Sequence, residues 1–141
     1  MKRTIAVCIF YDTEGNVYLQ DRRNCSKAGE IYGFWGGGLE EGEKPEGALR
    51  RELQEELNFT YKGEFDYLLT RNFKVDRGKL IGWDIELHAY CLLVSKKIVN
   101  SWKIEEGTGV AIFRLDTAVE AKVIDKRDRD ILKYLSEHIN E

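Results

Sequence analysis

Between Leu80 and Val94 the chain alternates. Ile81, Trp83, Ile85, Leu87, Ala89, Cys91 and Leu93 fall on one side, and Gly82, Asp84, Glu86, His88 and Tyr90 on the other. A period of two predicts one long strand with a core face, its other face being solvent or the floor of a site. Thr4 to Tyr11 (TIAVCIFY), rich in β-branched and apolar residues, predicts a first strand, and Asp12-Thr13-Glu14-Gly15-Asn16 is turn chemistry leading to a second, Val17 to Gln20. Residues 21–33 read as a polar loop, Tyr61 to Asn72 as a strand, Asp76 to Lys79 as a turn, Ser95 to Gly109 as a loop and Val110 to Arg114 as a short strand.

Two stretches switch to a helical period. One starts near Lys44 or Pro45 and ends at Leu57; Pro45 suits a first turn, where its missing N–H would have had no partner. Leu49, Leu53 and Leu57 form its core stripe, and Asn58 follows where a C-terminal cap needs a left-handed residue, so positive φ is expected there. The other runs from about Asp125 to Ile139, with an apolar stripe of Ile131, Leu132, Leu135 and Ile139. Strands with one helix in the middle and one at the end predict an α/β sandwich.

The first helix carries an electrostatic fault. Glu52, Glu55 and Glu56 lie on one side near its C-terminus. Each faces the negative end of the helix dipole, at a cost of ~0.3–1 kcal/mol when exposed, and each pair repels by ~0.2–0.5 kcal/mol. Arg51 can pair with Glu55 at i+4 but cannot serve all three. A divalent cation turns both penalties into attraction, and an oxygen-only donor set selects Mg²⁺ or Mn²⁺ over zinc. Such ions bridge phosphate oxygens and acidify a water. Before this helix Gly36, Gly37 and Gly38 read as a turn whose carbonyls approach a metal closely. A P-loop is excluded, because no Gly-Lys-Ser/Thr follows the glycines and Glu40, Glu41 and Glu43 crowd the run.

Composition narrows the setting. At 141 residues, 43% hydrophobic, the chain is expected to be one domain over residues 1–141 with a core that needs no disulfide. Cys8, Cys25 and Cys91 are odd in number and far apart, as free thiols are. The N-terminal residues run directly into a strand pattern with no leader or membrane-length apolar run, so a cytoplasmic protein is expected. A net charge of −3 gives no footprint for duplex nucleic acid, and no basic block marks a membrane surface.

Gly37, five residues, Glu43, seven residues and then Arg51-Glu52-Leu53-Gln54-Glu55-Glu56-Leu57-Asn58-Phe59 resembles the signature box of the Nudix hydrolases, G-x5-E-x7-R-E-U-x-E-E-x-G-U, where U is apolar. Asn58 in place of the last glycine is the one departure. The resemblance implies a Nudix-type α/β/α sandwich with a mixed sheet between helices, hydrolysing a nucleoside diphosphate linked to another group with Mg²⁺ or Mn²⁺. By position it implies Glu52, Glu55, Glu56 and the Gly36 carbonyl as metal ligands, and Glu52 as the group that orients or deprotonates the attacking water. Glu43 and Arg51 would pair to hold the loop, beside the signature's Gly37. Many members take a base from outside the box; Glu105 and Glu106 are the candidates here. Arg22, Arg23, Trp35 and Glu86 are the candidate substrate contacts, a small nucleotide is the expected partner, and small sandwiches of this kind often form homodimers.

With no proline after Pro45, the downstream proline of ADP-ribose-type members and the proline-rich motif of NADH-type members are missing; no coenzyme A-type motif is seen either. A MutT-like nucleoside triphosphate pyrophosphohydrolase is the leading reading. A dinucleotide or nucleotide-sugar hydrolase, a nucleotide-sensing domain without catalysis, and a diphosphate isomerase using Cys25 are the alternatives.

Overall fold

A computed structural model describes residues 1–23, 31–105 and 109–140. Seven strands and four helices follow in the order β1 (Lys2–Tyr11), β2 (Asn16–Asp21), β3 (Tyr32–Gly33), β4 (Trp35–Gly38), α1 (Pro45–Leu57), β5 (Asp66–Lys74), β6 (Asp84–Leu93), α2 (Lys96–Ser101), β7 (Gly109–Arg114), α3 (Leu115–Ala118) and α4 (Lys126–Ile139). The sheet order is β3-β2-β1-β6-β5, with β4 also on β1 and β7 on β2. The sheet is mixed, because β1 and β6 run parallel from Lys2↔Asp84 to Tyr11↔Leu93 while the other pairings are antiparallel.

Strand alternation sorts the core into two halves. Val7 and Ile9 of β1 and Ile85, Leu87, Ala89 and Cys91 of β6 face Ile131, Leu132 and Leu135 of α4. Ala6, Cys8 and Phe10, with Trp35 and Tyr90, face Leu49, Leu53 and Leu57 of α1. Each of those leucines is at most 1% exposed, and full burial of such a side chain contributes about 1.5–3 kcal/mol. The expected α/β sandwich is the fold observed, with helices on both faces. Cys8 and Cys91 are buried free thiols; Cys25 lies outside the described residues.

Several boundaries differ from the pattern. Gly36, Gly37 and Gly38 form a strand, not a turn: they pair with Val7, Ala6 and Ile5. Gly36 sits at φ 135°, and a Cβ there would lie 2.1 Å from the Ala6 carbonyl oxygen, so this strand approaches β1 as only glycine can. The strand expected from Tyr61 starts at Asp66 because residues 61–64 fold against α1. Arg50 donates to the carbonyls of Tyr61 and Gly63, each at 2.6 Å, and the Tyr61 hydroxyl to that of Glu64. Leu80 to Trp83 belong to the β5–β6 turn, held by Gly82 N–H to the Val75 carbonyl at 2.8 Å, and Ile81 is 63% exposed. The Ser95 hydroxyl accepts from the Ile98 N–H and starts α2 inside the expected loop.

Helix α1 begins at Pro45 and ends on Asn58 at φ 52°, as its sequence predicts. Its final carbonyls are met from outside the helix. Asn58 and Phe59 N–H bond Gln54 and Leu53, and the chain returning at Lys103 and Glu105 donates to Leu57 at 2.9 Å and Glu56 at 2.8 Å. A left-handed alanine lacks asparagine's tolerance of that region. Asn58→Ala is therefore expected to lower stability by about 1 kcal/mol and Asn58→Gly by less, measured by urea denaturation; equal stability of the two variants contradicts the strain.

Candidate active site

Strand β4 and helix α1 meet along the glycines, and their contact is polar. Arg51 is the hub. Its guanidinium grips Glu43 bidentately at 2.8 and 3.0 Å, donates to the Gly38 carbonyl at 3.0 Å and to Glu52 Oε1 at 3.0 Å, and reaches Glu55 at 3.4 Å. The Arg51 hydrogen bonds hold the Glu43 carboxyl down at about 2, and those to Glu43 push Arg51 itself further up. Glu43 Oε1 also accepts from the Glu40 N–H at 2.7 Å, so the segment before the helix is closed by the same carboxylate.

The three glutamates are held differently. Glu56 is 1% exposed; its Oε1 accepts from the Gly36 N–H at 2.9 Å and its Oε2 from the Gln20 amide at 3.2 Å. A buried carboxylate persists only with such donors. Glu52 lies against β4: a Cβ on Gly37 would come within 2.7–2.9 Å of its carboxyl group, so Gly37 leaves the space that Glu52 fills. Glu55 is 58% exposed along its side chain. Among the described residues these oxygens are not gathered into one tight cluster; Arg51 stands between Glu52 and Glu55.

Glu52 and Glu55, with Gly36 and Gly37, line one end of a cavity of about 400 Å³. Arg3 and Arg22 lie in the same lining. The floor is apolar, from Ile5, Val7, Phe34, Ile85 and Leu87, and Asp76, Arg77, Asp125, Arg127 and Asp128 take part from the β5–β6 turn and the start of α4. That second rim is tied together by Arg77–Asp125 at 3.2 Å and by Arg127, which lies over the Phe73 ring at 4.4 Å. Cations beside carboxylates, next to an apolar slot, suit a ligand with an anionic and an apolar part.

The candidate substrate contacts divide. Arg22 lines the cavity and donates to Gln20, whereas Arg23 is absent from the lining and forks onto Asp21 at 2.6 Å. Trp35 is a correction: it is fully buried under α1, its indole N–H on the Tyr18 carbonyl at 2.9 Å. Glu86 is another, because the face of β6 that lines the cavity is the apolar one, carrying Ile85 and Leu87. Glu86 points the opposite way, beside His88 at 2.8 Å and Lys2 at 3.7 Å. Glu105 does not line the cavity; its carboxylate accepts from the Asn58 amide at 2.9 Å. Glu106 lies outside the described residues.

Sequence reasoning passed over Gln20 and Arg3. Gln20 had a signal, a polar residue closing the apolar run Val17-Tyr18-Leu19, and it is fully buried on Glu56. It passed over Asp12 as well. Burial alone would raise the Asp12 carboxyl, but hydrogen bonds from the Tyr18 hydroxyl and from Asn16 and Glu14 outweigh it and bring it to about 2.

Comparison with known proteins adds to this geometry. A family profile described as NUDIX domain matches residues 1–135. An 8-oxo-dGTP diphosphatase of Proteus vulgaris is 45% identical over 56 residues, which is 40% of this chain and 50% of that protein. An RNA pyrophosphohydrolase of Sulfurovum sp. (strain NBC37-1) is 43% identical over 65 residues, 43% of this chain and 41% of that protein. The chain thus spans half or less of the length of these curated relatives. The crystal structure of a MutT protein from Methanosarcina mazei Go1 superposes with a TM-score of 0.79 over 99% of this chain and 96% of that one, at 15% identity, a likeness of fold.

The depressed carboxyls set an acid limit. An unfolded chain binds these protons near the ordinary 4.5 for glutamate and 3.8 for aspartate, while the fold holds Glu43 and Asp12 ionised to about 2. Their contribution is complete above the ordinary values and is lost as pH falls through that window. Glu43→Gln is expected to be less stable than the parent at pH 7, with the deficit closing as both approach pH 2, measured by urea midpoints across the range; a deficit independent of pH contradicts the Glu43–Arg51 assignment.

Proposed function

We propose, given that this chain belongs to the NUDIX family, that it hydrolyses the diphosphate link of a small nucleotide with a divalent cation, a MutT-like nucleoside triphosphate being the leading substrate. One observation carries the reading: Glu52 and Glu55 line the same cavity as Arg3 and Arg22, and its floor is apolar. An anionic phosphate chain fits the first and a flat base the second. Residues 1–141 act on this reading as one catalytic domain.

The donor set suits a hard cation. Glu52, Glu55, Glu56 and the Gly36 carbonyl are all oxygen donors on α1 and β4, and Gly37 lacks the side chain that would displace Glu52. Mg²⁺ or Mn²⁺ bound by them would supply charge neutralisation at the phosphates and a more acidic water. The chain's own residues do the positioning. Arg51 fixes Glu52 Oε1 at 3.0 Å, which sets Glu52 to orient the attacking water and accept its proton. Glu56, bonded to the Gly36 N–H, ties the helix to the strand that carries the Gly36 carbonyl. Arg22 and Arg3 hold phosphate oxygens, and Ile5, Val7, Phe34 and Leu87 exclude water beneath the base. The loop carrying Glu105 and Glu106 remains the candidate source of a further base.

The test is a nucleotide panel with Mg²⁺ or Mn²⁺, scoring phosphate, pyrophosphate and the nucleotide product for the parent and for Glu55→Gln. Glu55 is exposed, so the variant is expected to keep its thermal transition while turnover falls by at least ~10–100-fold, the scale on which even outer partners of a metal act. Chelation is expected to abolish activity and added Mg²⁺ to restore it. Parent-like turnover in Glu55→Gln contradicts the metal assignment, and tight binding of a nucleotide with no cleavage contradicts hydrolysis.

A further inference from the structure

A second set of donors lies away from the cavity. Asp66 opens β5, Cys91 is its register partner on β6, and His138 comes from the last turn of α4. His138 Nε2 lies 2.9 Å from Asp66 Oδ2, and the Cys91 Sγ–H points at the same oxygen from 3.7 Å. One ligand atom from each of the three falls within 4.8 Å of the others. None of the three lines the cavity.

We infer that Asp66, Cys91 and His138 form a binding site for a borderline-soft divalent cation of the zinc class. A thiolate, an imidazole and a carboxylate together suit such an ion, in contrast with the all-oxygen set on α1. With metal–sulfur near 2.3 Å and metal–nitrogen or –oxygen near 2.0–2.1 Å, ligand atoms around a tetrahedron sit roughly 3.3–3.6 Å apart. The 3.7 Å separation of sulfur and carboxylate lies just beyond that range. The 2.9 Å contact of His138 and Asp66 opens by a small rotation of two side chains that are 30% and 58% exposed. Those exposures leave the fourth position to water and give the ion its path in. Binding releases the Cys91 thiol proton to solvent, and the His138 nitrogen enters neutral. A plain ion pair would need only Asp66 and His138; the buried sulfur aimed at their shared oxygen is the third donor.

The site joins the start of β5, the end of β6 and the C-terminal turn of α4. The other end of α4 contributes Asp125, Arg127 and Asp128 to the cavity, so a cation here pins the helix whose first turn shapes that rim.

Co²⁺ titration of the full reduced chain is the test. Parent, Cys25→Ser and Glu55→Gln are expected to show the near-ultraviolet thiolate-to-cobalt absorption at one ion per chain, displaced by Zn²⁺. His138→Gln and Asp66→Asn change a half-buried and an exposed side chain near the molecular surface, so their folds, checked by circular dichroism, are expected to persist while affinity falls by at least ~10–100-fold. Zn²⁺ is expected to raise the thermal midpoint of the parent and not of His138→Gln. No thiolate band in the parent, its loss in Cys25→Ser or Glu55→Gln, or its survival at parental affinity in both His138→Gln and Asp66→Asn overturns the site.

Discussion

The Arg51 guanidinium is the point on which the site's geometry turns. Glu40, Glu43, Glu52 and Glu55 surround it within 3.7 Å, and without a cation among them they would repel one another. A planar fork satisfies two of these carboxylates and the Gly38 carbonyl with directional bonds, which a lysine ammonium could not do with the same fixed geometry. Each bond ties a different part of the chain. Glu43 belongs to the segment entering the helix, Gly38 to the glycine strand and Glu52 to the helix itself, so one side chain sets their separation.

That arrangement depends in turn on how closely β4 lies to β1 and α1 to β4. Gly36 and Gly37 have no Cβ to hold them apart, and the gap is filled on one side by the β1 backbone and on the other by the Glu52 carboxyl. Glu56 then becomes a buried carboxylate whose partners are a backbone N–H and the Gln20 amide. Glu56 and its donors therefore fix the height of the helix over the strand, and the leucine stripe supplies the burial that keeps it there.

What was legible followed from local rules. The limits of α1, the left-handed Asn58 and the pairing of Arg51 with Glu43 each depend on residues close in the chain or on a long, specific motif. Strand faces were legible as parity, and Ile85, Leu87, Ala89 and Cys91 did share one face. Parity says nothing of which face stays open, however. The cleft formed over the apolar side because α4 covers only part of it, and Glu86 was left on the other. Trp35 was misplaced for the same reason, since one position along the strand separates the cavity side, where Phe34 sits, from the core under α1. Residues 61–64 and 80–83 look like strand in composition, but Arg50 and the Val75–Gly82 turn take their backbone groups.

The parallel pairing of β1 with β6 carries a consequence for the order of assembly. Lys2 meets Asp84 and Tyr11 meets Leu93, contacts between segments separated by most of the chain, and such long loops close slowly. During synthesis the acidic helix emerges before β6 exists. Until that strand is added, the face on which Leu49, Leu53 and Leu57 rest is incomplete and lacks Tyr90, so the helix waits with its leucines partly uncovered. Topology thus makes the segment richest in chemistry wait, for full cover of its leucine stripe, on a strand made later in the chain.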